Sequence, residues 1–250
     1  MDAWDAKAEF WDELMGDEGN LFHRTLVGPA TERLLELQPG QRVLDAACGT
    51  GVLARHLHAL GARVLGVDGS EKMLHQARQR GPAEIEYRRV DLRDAAALGA
   101  LGTFEAVVCG MALMDLSDPD PLLRAIPGLL RPQGRLVATL CHPCFNFWGS
   151  RRFLEDEDRQ GEMVHTAGVR VAGYLQPRSE PGVGAPGEPA AHLYHHRPLH
   201  DLLGRCFAAG LVLDGLEEPA FTEATAAPLP LSWLHIRDIP PVLALRLRVG

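Results

Sequence analysis

The chain lacks the features that would commit it to a membrane or to nucleic acid. No apolar run reaches the roughly 18 residues that a membrane-spanning helix requires, so no membrane association is expected. Positive charge is scarce: 25 Lys and Arg stand against 33 Asp and Glu, for a net charge of −8. A general binder of phosphate backbones carries clustered Lys and Arg, so nucleic acid is not an expected partner. Nothing near the start reads as a secretion signal, because Asp2, Asp5, Glu9, Asp12 and Glu13 interrupt the apolar residues up to Met15. A cytoplasmic protein, monomer or homodimer, acting on a small molecule is the expectation.

Cysteine is also sparse, and the five present have no framework spacing, which excludes a disulfide scaffold. Cys48 and Cys109 fall in or beside apolar strands and read as reduced, buried small residues. Cys141-His142-Pro143-Cys144 leaves open a redox pair or half of a zinc site. A thioredoxin-type pair opens a helix near the chain start, whereas this one leaves a strand. Zinc would need two further ligands from Cys206 or scattered histidines, and no metal is assigned.

What is present is a strand that ends on an acid and feeds a turn of small residues: Val43-Leu44-Asp45-Ala46-Ala47-Cys48-Gly49-Thr50-Gly51. A second apolar run, Arg63 to Val67, also ends on an acid, Asp68. This is the front half of a nucleoside-binding α/β unit. Gly49-x-Gly51-x-x-Ala54 satisfies the dinucleotide fingerprint, so a nicotinamide or flavin oxidoreductase is one reading. Asp45 argues against it, since a carboxylate just ahead of the turn repels a pyrophosphate by about 1 to 4 kcal/mol. S-adenosylmethionine (SAM) has no phosphate and carries a sulfonium and an ammonium, which reverses the sign.

Strand and helix signals alternate from there. Strands are expected at Arg42–Asp45, Ala62–Val67, Ile85–Val90, Phe104–Cys109 and Arg135–Leu140, with helices at Val52–Leu60, after the N-cap Ser70, and after Asp118-Pro119. Such spacing implies right-handed crossovers and a parallel sheet covered on both faces. Ahead of it, Trp4, Ala8, Trp11 and Met15 mark an amphipathic helix, and a second helix is expected over Thr25–Leu37, stopped by Gln38-Pro39-Gly40. Between His142 and Leu193 the pattern fails. Prolines and glycines crowd Gln176–Glu188, yet Phe145, Phe147, Trp148, Phe153 and Tyr174 are too many aromatics for a linker. A substrate-covering insertion is expected, with Gln176–Glu188 as its mobile part. A helix from Leu199 to Gly210 and strands at Leu211–Leu216 and Val242–Val249 close the chain.

In its motifs the chain resembles the class I SAM-dependent methyltransferases, in the small-molecule branch (UbiE-like, methyltransferase type 11). Their first motif, acid-x-Gly/Ala-x-Gly-x-Gly, is matched by Asp45, Ala47, Gly49 and Gly51. The resemblance implies an α/β Rossmann-like seven-stranded sheet, mostly parallel with an antiparallel final strand. It implies that the loop, with Cys48, wraps the amino-acid end of SAM, and that Asp68 takes the ribose hydroxyls. It places Asp91 by the adenine amino group, with Gly69, Met73, Leu92 and Met111 completing the cofactor site. Residues 1–40 would be a helical cap with Phe10, Trp11, Asn20 and His23 over the cleft. Residues 41–141 and 194–250 would be the core and 142–193 the lid.

The resemblance puts the acceptor above the ends of the fourth and fifth strands. Met111, Asp115, His142, Pro143 and Phe145 fall there, with Tyr174 in the insertion. His142, a His-Pro step at a strand's carboxyl end, is the first candidate for a general base. The second is His196 in His195-His196-Arg197-Pro198-Leu199, similar to a Tyr-His-Arg-Pro-Leu string of the same branch, with Arg197 to hold an anionic substrate group. O- and N-methylation both stay open at this point. A protein that binds SAM without transferring methyl is the non-enzymatic reading.

Overall fold

The computed structural model describes residues 2–222 and 231–250; residues 1 and 223–230, within the expected cap and core, lie outside the described residues. The N-terminal cap consists of α1 (Asp2–Asp5), α2 (Ala8–Met15), a π-turn (His23–Val27) and α3 (Gly28–Leu35). The central unit follows as β1 (Arg42–Ala46), α4 (Val52–Ala59), β2 (Arg63–Asp68), α5 (Glu71–Arg80), β3 (Glu86–Arg89), α6 (Ala95–Gly99), β4 (Phe104–Gly110), α7 (Asp120–Leu129) and β5 (Leu130–Cys141). The insertion holds β6 (Ser150–Arg159), β7 (Glu162–Val171), β8 (Arg178–Gly182) and β9 (His192–His196). The chain closes with α8 (Leu199–Ala208), β10 (Leu211–Glu217), a 3₁₀ turn (Trp233–His235) and β11 (Val242–Val249).

Seven strands form one sheet in the order β10-β11-β5-β4-β1-β2-β3. Only β11 runs against the others, because it pairs antiparallel with both β10 and β5. Strand period decides which face each residue serves. Leu44, Ala46, Val107, Cys109, Leu136 and Ala138 pack with α7 and α8 in one core, while Val43, Ala106, Val108 and Val137 pack with α3, α4 and α5 in the other. Continuous burial along β1 and β4 is what a parallel sheet with two covered faces requires. No described helix is long and apolar enough to cross a membrane.

Two expectations need correction. The helix expected over Thr25–Leu37 begins instead as the π-turn, where the Gly28 N–H donates to the His23 carbonyl. Pro29 then sits in the first turn of α3, where its missing N–H costs nothing. The helix stops short of Leu37, because Glu36 adopts a left-handed conformation. The region between His142 and Leu193 is not a breaker-rich loop but two antiparallel hairpins, β6–β7 and β8–β9. Gln160 and Gly161, both at positive φ, make the tight turn of the first hairpin. The part expected to be mobile contains β8 and ends on Glu188, a buried residue ion-paired to Lys7.

The cap is tied to the sheet by charge. Arg80 at the end of α5 donates to Asp12 Oδ1 and Oδ2 at 2.5 and 2.8 Å and to Asp17 at 2.9 Å. Arg55 of α4 donates to the carbonyls of Gly16 and Thr50. The turn after β1 is fixed by close packing at Gly51, whose φ is +78° and where a Cβ would lie 2.5 Å from the Tyr87 hydroxyl. Gly51→Ala should therefore destabilise the chain by about 1 to 3 kcal/mol through overpacking and left-handed strain. Denaturant unfolding of the two proteins measures it, and equal midpoints would show that Tyr87 moves freely.

Candidate active site

The carboxyl ends of β1, β2, β4 and β5 open into a cavity of about 1060 Å³, roofed by the cap and the β8–β9 hairpin. This is the edge at which open α/β sheets bind ligands. Asp45 lies at its floor, 1% exposed, with Oδ2 buried and without a hydrogen-bond partner among the described residues. Burial first, then the Asp68 charge, raise its pKa from 3.8 to about 7 against a weaker opposing bond from the Ala54 backbone. The turn that follows places Ala47 and Gly49 at positive φ. Gly49 faces the cavity, and a Cβ built there would meet nothing within 4 Å.

Asp68 closes β2 and fastens this turn to the next. Its Oδ2 accepts from the Gly49 N–H at 2.9 Å and its Oδ1 from the Ser70 N–H at 2.8 Å. Burial raises its pKa, opposed by the backbone N–H groups of Ser70, Gly49 and Gly69. Ser70 caps α5 through the Met73 N–H and donates its hydroxyl to Asp5 Oδ1 at 2.5 Å, so the cap reaches the rim of the cavity. Beyond β3, Asp91 is held by the Arg93 guanidinium at 2.9 and 2.7 Å, which lowers its pKa.

Most of the residues singled out in the sequence line this cavity: Asp45, Ala47, Cys48, Gly49, Asp68, Gly69, Met73, Asp91, Leu92 and Met111 at one end, and Trp11, His23, Asp115, His196 and Arg197 elsewhere. Five do not. Gly51 packs on Tyr87 instead, and Phe10 makes an edge contact with Trp11. Phe145 lies against the His142 ring, and the Tyr174 hydroxyl accepts from the Leu199 N–H at 2.8 Å.

His142 is the fifth, and its expected role as a base does not survive its hydrogen bonds. It is 1% exposed, its Nδ1 accepts from the Cys144 N–H at 3.1 Å, and its Nε2 donates to Glu218 at 2.8 Å. Both nitrogens are committed to architecture. Arg197 lines the cavity, but its guanidinium donates to the carbonyls of Leu113, Leu116 and Ser117, so it clamps the loop after β4 rather than an anion. His196 stacks on Phe147 at 4.1 Å, and its Nε2 donates to the Tyr174 carbonyl at 2.7 Å. Burial lowers the pKa of both His142 and His196, and brings that of His23 down to about 4.

Three residues that sequence reasoning missed form the densest polar contact nearby. Lys7 is fully buried, with Nζ 2.6 Å from His192 Nδ1 and 3.0 Å from Glu188 Oε1. Glu188 also accepts from Trp11 Nε1 at 3.0 Å and from the Gly184 N–H at 2.5 Å. No local pattern announces a pairing of residues 185 positions apart. Among the described residues no group of three or more His, Cys, Asp or Glu is placed to hold a metal ion.

A methyltransferase domain model matches residues 44–138, the stretch from β1 into β5. Over 100 residues the chain is 37% identical to a ubiquinone biosynthesis O-methyltransferase of Xanthomonas oryzae pv. oryzae, covering 39% of this chain and 41% of that protein. The match thus spans about two fifths of the length of that curated relative. Among solved structures, an S-adenosylmethionine dependent methyltransferase from Mesorhizobium loti superimposes with a TM-score of 0.66 at 28% identity, over 88% of this chain and 96% of that one. Residues 44–138 thus match a methyltransferase domain, and the chain as a whole shares the fold of a solved SAM-dependent methyltransferase. The CcbJ methyltransferase of Streptomyces caelestis, at 19% identity, shares the fold with a TM-score of 0.64 over 99% and 98% of the two chains.

Asp45 makes the stability of the free protein depend on pH. Its pKa is about 7 folded and near 3.8 unfolded, so the unfolded chain ionises first and stability falls as pH rises through that window. The fall attributable to Asp45 is at most about 4 kcal/mol. Denaturant unfolding at about pH 4 and about pH 8 should show a smaller fall in Asp45→Asn. An equal fall in both proteins would mean that Asp45 titrates normally.

Proposed function

We propose that the chain transfers the methyl group of SAM to a small-molecule acceptor bound at the aromatic end of the cavity. The observation that carries this reading is Asp45, buried beside a second carboxylate with one oxygen left without a partner. A buried acceptor in that state requires a donor, and a cationic donor also relieves the repulsion from Asp68. The ammonium of SAM supplies both. Gly49 would leave room for the amino-acid end. Asp68 would accept the ribose hydroxyls on the lone pairs its backbone donors leave free, and Asp91 would border the adenine amino group. A dinucleotide pyrophosphate would instead face two desolvated carboxylates, which disfavours the oxidoreductase reading.

SAM supplies an activated methyl group, so the chain's part is to align the acceptor and keep water out. Phe147, Trp148 and Trp233 at the far end of the cavity suit a flat or apolar acceptor. With both nitrogens of His142 engaged, we assign His196 to the cavity wall, stacked with Phe147 against the acceptor. We place this activity in the cytoplasm, in a monomer or homodimer.

Calorimetry should give a Kd for SAM of ~1 to 100 μM. Asp68→Ala should weaken it by about 2 to 4 kcal/mol, because two hydroxyls lose a charged acceptor and the turn loses its anchor, and Asp68→Asn should cost less. NAD binding without SAM binding would refute the cofactor assignment. A screen of small phenols, alcohols and amines with labelled SAM then identifies the acceptor.

A further inference from the structure

Cap, lid and sheet meet at one point beside the acceptor end. Lys7 comes from the cap, His192 and Glu188 from the lid, and Asp115 from the loop after β4. A lysine ammonium has donors only, so the 2.6 Å contact with Lys7 Nζ requires the lone pair of His192 to be on Nδ1. The neutral ring then carries its proton on Nε2. That nitrogen faces Asp115 Oδ1 at 3.4 Å, and both atoms are buried without completing a hydrogen bond among the described residues. His192 is 6% exposed and the Asp115 side chain 12%, and both line the cavity. The loop carrying Asp115 is clamped, since the His195 N–H donates to the Met114 carbonyl at 2.7 Å and Arg197 holds the flanking carbonyls.

We propose that Asp115 takes the proton of a hydroxyl acceptor during methyl transfer, and that His192 is the positioning residue that aims its carboxylate. The proposal rests on the methyltransferase reading above. An alcohol or phenol oxygen fits this pair. It donates its hydrogen to Asp115, whose carboxylate His192 Nε2–H aims, and keeps a lone pair for the methyl carbon. A protonated amine has no lone pair to offer. As the O–C bond forms and the C–S bond breaks, the sulfur leaves as a neutral thioether. The hydroxyl proton ends on the carboxylate, which releases it to water once the products depart. Lys7 comes from the cap and Glu188 from the lid, and the two meet in an ion pair at 3.0 Å, so the carboxylate is aimed only when cap and lid are both docked.

The titratable groups facing Asp115 are His192, Lys7, Glu188, Cys109, Cys141 and Tyr194. Burial raises the Asp115 carboxyl above its ordinary range, while the facing His192 ring and the Lys7 charge pull it back. Two measurements on the full chain test the assignment. The first is NMR with ¹⁵N-labelled His and ¹³C-labelled Asp, with resonances assigned by the variants. His192 should carry its proton on Nε2, and Asp115 should titrate above the ordinary range. His192→Phe should move that titration further up, and His192→Gln, which keeps an amide donor, should restore it. A proton on Nδ1, or an ordinary Asp115 titration, overturns the proposal. This arm needs neither SAM nor an acceptor, so it decides the arrangement even if calorimetry shows no SAM binding and the methyltransferase reading fails.

The second measurement follows transfer from labelled SAM to catechol. Asp115→Asn should lower kcat about 100-fold or more with SAM affinity within about twofold. His192→Phe should lower kcat about tenfold and shift the rate inflection to higher pH, with His192→Gln recovering both in part. Asp115→Asn transferring to catechol at the full rate overturns the proposal.

Discussion

Desolvated negative charge at the ends of the parallel strands governs this molecule. Asp45 and Asp68 close neighbouring strands, β1 and β2, whose register pairs Asp45 with Gly66 and Ala46 with Val67. The sheet's own geometry therefore brings two carboxylates together at one edge, and the helices on both faces exclude water from them. Asp68 is partly compensated by backbone N–H groups, whereas Asp45 keeps an oxygen with no partner. The loop between them is held by the same acid that raises the Asp45 pKa, so the turn cannot be kept in place without the charge that burdens its neighbour. A site built this way favours the arrival of a cation or a hydrogen-bond donor.

The cap and the lid meet over this edge through a buried ion pair, Lys7 with Glu188. Such pairs are weak evidence for stability, since burying both charges costs several kcal/mol that their attraction must offset. Their better attested use is to fix one arrangement among alternatives. Here Glu188 accepts from Lys7, Trp11 and the Gly184 backbone, and these donors outweigh burial in keeping its carboxyl below the ordinary pKa. A slip of the β8–β9 hairpin by one residue would leave Lys7 as an uncompensated buried charge.

The legible parts of the sequence are those set by local rules. Strand period, the capping Ser70, the Gln38-Pro39-Gly40 stop and the acid-ended strands can each be read within a ten-residue window, and the central sheet follows from them. The β6–β7 hairpin could not be read in this way, because it is exposed along nearly its whole length and carries no apolar alternation. What holds it is local chemistry that periodicity misses: the Gln160-Gly161 turn, and Phe153 lying over Gly168, where a Cβ would stand 2.7 Å from the ring. His142 is the instructive failure. Its place at a strand end was readable, but its two hydrogen bonds come from Cys144 and from Glu218 far along the chain, and only the fold brings the second to it.

The fate of the positive side chains follows from the same constraint. On the proposed reading the cavity receives a sulfonium and an ammonium, and it gains from holding few competing cations. Lys7 is neutralised by Glu188, Arg93 by Asp91, and Arg197 is turned onto backbone carbonyls. Arg152 at the far rim lies over the Trp233 ring at 5.3 Å. Burial lowers the pKa of His23 and His196, which disfavours a positive charge on these two imidazoles of the cleft. Three acids, Asp45, Asp68 and Asp115, remain at the floor with their pKa values raised by burial, and each would gain from the arrival of a cation or a hydrogen-bond donor. Ligand binding and proton acceptance thus draw on one electrostatic arrangement, in which fixed negative charge is desolvated in advance and fixed positive charge is paired away from the reacting centre.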